Sequence, residues 1–328
     1  VVLLQNMRAD NRLLFWHWET ECAWELLFLM NETQDFFQMC NEKSAMIFHD
    51  WSSWDSLSSS AQFKFKKIYL PVFIEPIDMK YNIDIVDEDE IHLAWLGRLV
   101  PDKIQSLFYI IDNLSNYPTE KKKILHIIGD GSSEDVVKKY CFSFKNEIVF
   151  DFKGTVTGHE LDRFLADNVD ILFAMGTSVL EGAALKIPVA VVVLDLVEIT
   201  RDEFFWLFQS KDYCCGVTCS QMKRFNIEYS HFRDMMDDIF EYGMKKEYGE
   251  KCYQYFMDNH SGVERAISFL LKAINKSTLT MGDLKRCIKY VPYNHLIVKR
   301  RKLLGQMISS KIVYEENGRY CGNPEKML

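Results

Sequence analysis

Two stretches carry residue types that could handle a phosphate and a sugar. In GTSVLE, Gly176, Thr177 and Ser178 follow an apolar run and precede a small-residue helix, so backbone N–H groups can approach an anion at a helix N-terminus. Glu181 falls near the first helical turn, where a carboxylate can accept two ribose hydroxyls. An ordinary crossover with Glu181 set against the helix dipole explains the same pattern. In WLGRLVPDK, Gly97 and Arg98 follow a strand and Lys103 opens the next helix. Two cations there suit a diphosphate, because a departing nucleoside diphosphate gathers negative charge that preorganised cations offset. A solvated Arg and Lys on a loop are the plain alternative.

Three further stretches carry weaker signals. IIGDGSS places Gly129 and Gly131 one residue apart after a strand, a fragment of a nucleotide-binding turn that a plain strand-to-helix turn explains equally well. In FKGTVTGHEL, Gly154 permits close approach and the Thr155 and Val156 peptides could serve a nucleobase, while Thr157 or Gly158 reads as a cap and His159 as a surface residue. FWHWETE sets His17 and Glu19 at the end of a strand; the histidine could orient a sugar hydroxyl, and Trp16 and Trp18 could stack on a sugar. A packed histidine with two core tryptophans is the plainer reading of the same residues. His49-Asp50-Trp51 repeats the idea with less support.

Strands and helices must position these residues. Through residue 76 the chain reads as a strand over 12–18, a helix over 23–43, a strand over 44–49, a short Ser-rich segment and a strand over 67–73, about half of a doubly wound domain with its beginning missing. Residues 77–90 are acidic and weakly patterned, as a linker would be. From residue 91 five strands alternate with helices, which predicts right-handed crossovers and a parallel sheet covered on both faces. Ligands bind beyond the carboxyl ends of such strands, so the loops after Leu96, Ile128, Phe152 and Ala174 are expected to share one rim. The domain is expected to run over 91–260, with helices near 231–246 and 262–276, the second burying Val263, Ile267, Leu270, Leu271 and Ile274. Residues 261–328 complete the chain and could cross back to the first domain. Within them, 293–312 mixes Lys and Arg with apolar residues, as a peripheral membrane contact or an ordinary surface helix would, and the last residues read as a loose tail.

Composition narrows the class. The chain has 328 residues, 48% of them hydrophobic and 14% aromatic, enough for two cores. A net charge of −8 argues against a general nucleic-acid surface, which needs clustered cations. Nine scattered cysteines without a CxxC pair suggest reduced thiols in a cytoplasmic compartment rather than a zinc site. No apolar run spans a bilayer and the first residues lack the order of a signal peptide.

In order and spacing, GRLVPDK, IIGDG, FKGTV and GTSVLEGAALKIPVAV resemble the nucleotide-binding half of the family 4 (group 1) retaining glycosyltransferases of GT-B fold, over about residues 91–194 and more loosely back to His17. The resemblance implies an α/β chain of two Rossmann-type domains whose parallel sheets face each other across a cleft, the first incomplete. It implies metal-independent sugar transfer with retention, from a UDP- or GDP-linked donor that is substrate rather than cofactor. The acceptor would be a saccharide or a lipid-linked one, in capsule, lipopolysaccharide or exopolysaccharide synthesis at the inner face of the membrane. By motif, Arg98, Lys103, Gly176 and Thr177 would hold the donor diphosphate, Glu181 the ribose and Thr155 and Val156 the nucleobase, while His17 would contact the donor sugar as the catalytic residue. Two departures stand out: Phe173 occupies the place of a second family glutamate eight residues before Glu181, and the glycine-rich loop that opens the acceptor-side domain is absent from this sequence. They keep open a non-catalytic partner of a polysaccharide-synthesis complex. A sugar-nucleotide epimerase is a further alternative, with Glu19 and Asp50 as its weak acid and base candidates.

Overall fold

A computed structural model describes residues 8–17, 31–61, 63–77, 89–194, 199, 204–287, 313–316 and 319–322. Backbone contacts divide the chain into two units, one of residues 1–49, 53–70 and 268–328, the other of residues 50–52 and 71–267.

In the first unit, β1 (Phe15–His17) pairs in parallel with β2 (Met46–Phe48), joined by a connection whose described part is α1 (Asn31–Glu42). The parallel pairing places Phe15 opposite Met46 and His17 opposite Phe48. The expected strand over 67–73 shrinks to one bridge between Phe48 and Tyr69, because β2 ends at Phe48 and the chain turns into a helix at Trp51, which leaves residues 72 and 73 no strand to pair with. The Ser-rich segment is a helix, contrary to expectation. In α2 (Trp51–Ala61) the residues Trp51, Trp54, Leu57 and Ala61 recur at intervals of three and four, and their burial outweighs the poor helix propensity of serine. Trp54 Nε1 donates to the Phe65 carbonyl at 2.8 Å, tying the helix to the segment that follows it.

The second unit is built on β3 (Glu90–Leu96), α3 (Pro101–Asn116), β4 (Lys122–Ile128), α4 (Glu134–Phe142), β5 (Ile148–Gly154), α5 (Gly158–Asn168), β6 (Ile171–Ala174), α6 (Ser178–Ala184) and β7 (Val189–Val191). Next come β8 (Val193–Leu194), β9 (Phe205–Trp206), β10 (Val217–Thr218), α7 (Cys219–Phe225), α8 (Phe232–Phe240) and α9 (Lys245–Asn259). Six strands form one sheet in the order β5-β4-β3-β6-β7-β9, parallel except for β9, which runs antiparallel to β7. β8 leaves that sheet and pairs in parallel with β10. The near-continuous burial of β3, β4 and β6 is what a parallel sheet covered on both faces requires. Pro101, whose φ is fixed near the helical value, sits in the first turn of α3, and Ile104, Leu107, Ile110, Ile111 and Leu114 form its buried stripe.

Beyond α9, α10 (Val263–Lys276) crosses from one set of contacts to the other, and α11 (Met281–Cys287) and β11 (Val313–Glu316) with β12 (Arg319–Gly322) belong to the first unit. Two expectations fail here. The apolar stripe of α10 faces outward, with Ile267 51% and Leu271 53% exposed, while the small Ala273 is the residue fully covered. Periodicity shows which face of a helix is apolar, not which face meets the protein. The supposed loose tail contains an antiparallel pair, Glu316 opposite Arg319, and the Asn-Gly dipeptide between them is a hairpin signal. The helix expected over 231–246 is two helices, α8 and α9, parted at Gly243, whose φ is +68°. Of the expected linker, 78–88 lies outside the described residues, as does 293–312. Among the described residues no helix is long and apolar enough to cross a membrane.

Candidate functional site

Along one rim of the second unit, the loops after β3, β4, β5 and β6 leave the carboxyl ends of parallel strands. The first two are zipped together. Gly97 N–H donates to the Ile128 carbonyl at 3.0 Å, Leu99 N–H to the Asp130 carbonyl at 2.8 Å and Ser133 N–H to the Leu99 carbonyl at 2.9 Å. A Cβ on Gly129 would run into the Gly97 carbonyl and one on Gly131 into the Leu99 carbonyl. The two glycines therefore serve the approach of one loop to the other, which favours the plain turn over the nucleotide-binding fragment.

That zipper fixes the loop bearing Arg98 and Lys103. Arg98 is exposed and Lys103 half-buried in the first turn of α3. Burial depresses the Lys103 pKa first, and the Arg98 charge depresses it further, against the opposing pull of Asp102. Among the described residues no carboxylate forms an ion pair with either cation. Two like charges held together beside a helix N-terminus favour an anionic ligand, which would relieve both.

In the third loop the Thr155 hydroxyl donates to Asp130 Oδ2 at 2.7 Å, so Asp130 joins the second loop to the third. Val156 is half-buried and His159 exposed. Thr157 stands at the N-cap of α5 but its side chain makes no capping bond.

The fourth loop carries Met175 to Thr177. Gly176 has φ +64° with open space where a Cβ would stand, and its N–H donates to the Cys215 carbonyl at 2.8 Å. This N–H is thus committed to the protein, and a ligand would meet the turn through the exposed Gly176 Cα side and the neighbouring Thr177. Glu181 follows within α6, half-buried. Burial raises its pKa, and the negative charge of Asp162 raises it further. Asp162 lies on the inner side of α5 with His159 Nδ1 at 3.6 Å from its Oδ2.

Phe173 is fully buried in β6, paired with Trp95 and Ala190 on the neighbouring strands. Its ring stacks on Phe232 at 5.7 Å and meets Phe204 edge-on at 5.7 Å. At this position the chain has a core aromatic, not a ligand contact.

His17 belongs to the first unit, at the end of β1. It is buried, with its ring edge-on to Phe48 at 5.9 Å and its carbonyl 3.5 Å from His49 Nδ1. Trp16 is 46% exposed, and Trp18 and Glu19 lie outside the described residues. Asp50 is buried and clusters with the second unit.

Within the second unit the structure brings Arg98, Lys103, Thr155, Val156, Gly176, Thr177 and Glu181 to the loops of one rim. Sequence reasoning missed Asp130, Asp162 and Cys215, the last far along the chain from the loop whose Gly176 N–H it accepts. Asp162 had a legible signal: in LDRFLAD it sits between Leu161 and Leu165 on the inward side of a short amphipathic helix.

No family model and no curated protein matches the chain. Solved structures do. A glycosyltransferase from Rickettsia africae ESF-5 superposes with a TM-score of 0.51 at 13% identity, over 75% of this chain and 67% of that one. A TarM variant from S. aureus, in complex with Fondaparinux, alpha-GlcNAc-glycerol and UDP, gives 0.48 at 16% identity over 75% of this chain and 47% of that one. HepE from Anabaena, in complex with UDP and glucose, gives 0.47 at 13% identity over 80% and 71%. The chain spans about half the length of the TarM structures it matches. At such identities the likeness concerns the fold, and that fold is α/β, of the GT-B glycosyltransferase type with Rossmann-like units.

Proposed function

We propose that this protein is a glycosyltransferase that holds a nucleotide-sugar donor on the rim of the second unit. The observation that carries the reading is the Arg98–Lys103 pair: two cations with no carboxylate partner among the described residues, one of them half-buried, at the rim where parallel sheets bind ligands. Arg98 and Lys103 neutralise the diphosphate, the Gly176 turn with Thr177 lies against it, Glu181 accepts the ribose hydroxyls, and the Thr155–Val156 peptides border the nucleobase. The donor is a UDP- or GDP-linked sugar taken as substrate, transfer proceeds with retention and without a metal, and the acceptor is a saccharide or lipid-linked one of surface-polysaccharide synthesis. The protein works in the cytoplasm at the inner face of the membrane. Support comes from the fold, from the resemblance of the four rim motifs to family 4 enzymes and from the charge at the first loop.

Titration calorimetry of the full chain with UDP and GDP tests the reading. A charge-assisted contact to an anion contributes about 1.5 to 3 kcal/mol, so Arg98→Ala is expected to weaken binding by roughly ten- to a hundredfold. Equal affinity of wild type and Arg98→Ala for the diphosphate that binds would overturn the site.

A second reading has a specific observation behind it. Phe173 is locked in the core, so this chain has no carboxylate at the place of the second family glutamate. A non-catalytic partner that keeps nucleotide binding fits that fact. Nucleotide binding without hydrolysis or transfer of any sugar nucleotide would decide for it.

A further inference from the structure

Behind the Gly176 turn runs a buried chain of contacts that the donor site does not itself use. The Cys215 carbonyl takes the Gly176 N–H, and the Cys215 thiol lies 3.9 Å from His260 Nε2. The other ring nitrogen, Nδ1, is 2.8 Å from the Val72 carbonyl. A carbonyl only accepts, so Nδ1 carries the hydrogen. In the neutral imidazole Nε2 is then an acceptor, and the Cys215 S–H lies between it at 3.9 Å and the Tyr213 carbonyl at 3.6 Å. Burial keeps Cys215 protonated, its pKa raised well above the usual thiol value, with the Asp50 charge acting in the same direction.

The backbone of His260 is held as firmly as its ring. It caps the C-terminus of α9, donating N–H to the Phe256 carbonyl at 2.8 Å, and its own carbonyl accepts Ile74 N–H at 2.9 Å. The side chain is 1% exposed. A phenylalanine would fill the same space at lower desolvation cost, whereas this imidazole makes directed contacts through both nitrogens. Gly216 adds to the fit, since a Cβ there would stand 3.5 Å from Met175 Cβ and 3.6 Å from Gly176 N.

We propose that His260 is a positioning residue for the donor diphosphate: through the thiol and carbonyl of Cys215 it fixes the left-handed Gly176 turn at the height the phosphates require. This rests on reading the rim as a nucleotide-sugar site. The Val72 anchor sets the tautomer, the tautomer presents Nε2 as an acceptor beside the thiol, and the thiol, held between Nε2 and the Tyr213 carbonyl, fixes the peptide that accepts the Gly176 N–H.

The test compares nucleoside diphosphate with the parent nucleoside, by calorimetry for the first and NMR titration for the second, in wild type, His260→Phe, Cys215→Ala and Cys215→Ser. His260→Phe and Cys215→Ala are expected to lose about three- to tenfold in diphosphate affinity, the range of one net hydrogen bond, while nucleoside affinity stays within about twofold. Cys215→Ser, which keeps a donor, is expected to restore most of the loss. Melting curves establish that each variant is folded, and if His260→Phe is not, the two Cys215 variants decide. An unchanged ratio of diphosphate to nucleoside affinity in the folded variants overturns the inference and leaves the donor site standing. Absence of any nucleoside diphosphate binding to wild type overturns both.

Discussion

Glu181 is the residue whose chemistry depends most on a neighbour. In the proposed site its carboxylate accepts two ribose hydroxyls, which the ionised form does best, yet burial and the charge of Asp162 both raise its pKa. As pH falls, Glu181 therefore takes up its proton earlier than an ordinary glutamate, and nucleotide affinity is expected to fall above the usual carboxylate range. Replacing Asp162 by Asn removes the repulsion. The acid limb of affinity against pH should then move to lower pH, while affinity above pH 7 changes little; identical pH profiles for the two proteins would show that Asp162 does not act on the site. For stability the sign is opposite: a raised carboxylate pKa means the folded state binds the proton more readily, so this contribution strengthens as pH falls through the raised value. Phe173 poses the reverse case. Phe173→Glu would place a carboxylate between Phe204 and Phe232, where an uncompensated charge costs about 3 to 5 kcal/mol. The expected result is a large drop in the urea midpoint and no gain in transfer. A variant of wild-type stability with faster transfer would show that position 173 can reach the ligand after all.

At the scale of elements, α9 is fastened to the second unit at three places, the last of them behind the rim. Near its start Lys245 forms a buried ion pair with Asp170, 2.7 Å away, and the second oxygen of Asp170 accepts His92 N–H at 2.9 Å, which ties the helix to the entrances of β6 and β3. In its middle the backbone passes so close to the turn after α6 that a Cβ on Gly249 would strike the Lys186 carbonyl. The Cys252 thiol also lies 3.4 Å from Val189 N. At its end His260 reaches Cys215. Gly249→Ala therefore forces the helix away from the turn, with an expected loss of about 1 to 3 kcal/mol in unfolding free energy, as for other overpacked contacts. Because Glu181 lies in α6 and the Gly176 turn leads into it, nucleotide affinity should fall with it. Loss of stability without any change in affinity would show that α9 supports the fold but not the site. Legibility differed by element. The β3–α3–β4 run was plain because strand and helix periods alternate cleanly there, whereas α2 was hidden by serines whose low helix propensity is overridden by Trp51, Trp54 and Leu57.

For the molecule as a whole, the sequence by itself determined the parallel sheet of the second unit, the rim its loops share and the residues on that rim. These follow from local pattern: apolar runs of strand length, helix periods between them, and handed crossovers that leave few topologies. It did not determine partners separated by long stretches of chain. Only the tertiary structure showed that Gly129 and Gly131 serve loop packing, that the Gly176 N–H is committed to Cys215, that Asp162 loads Glu181 and that His260 stands behind the turn. It also turned the apolar stripe of α10 outward, and it closed Phe173 between two rings that arrive from Phe204 and from α8. The physical reason is the same in each case. Propensity and periodicity act over a few residues, whereas burial, electrostatic neighbours and hydrogen-bond partners are fixed by contacts that exist only once distant segments pack together.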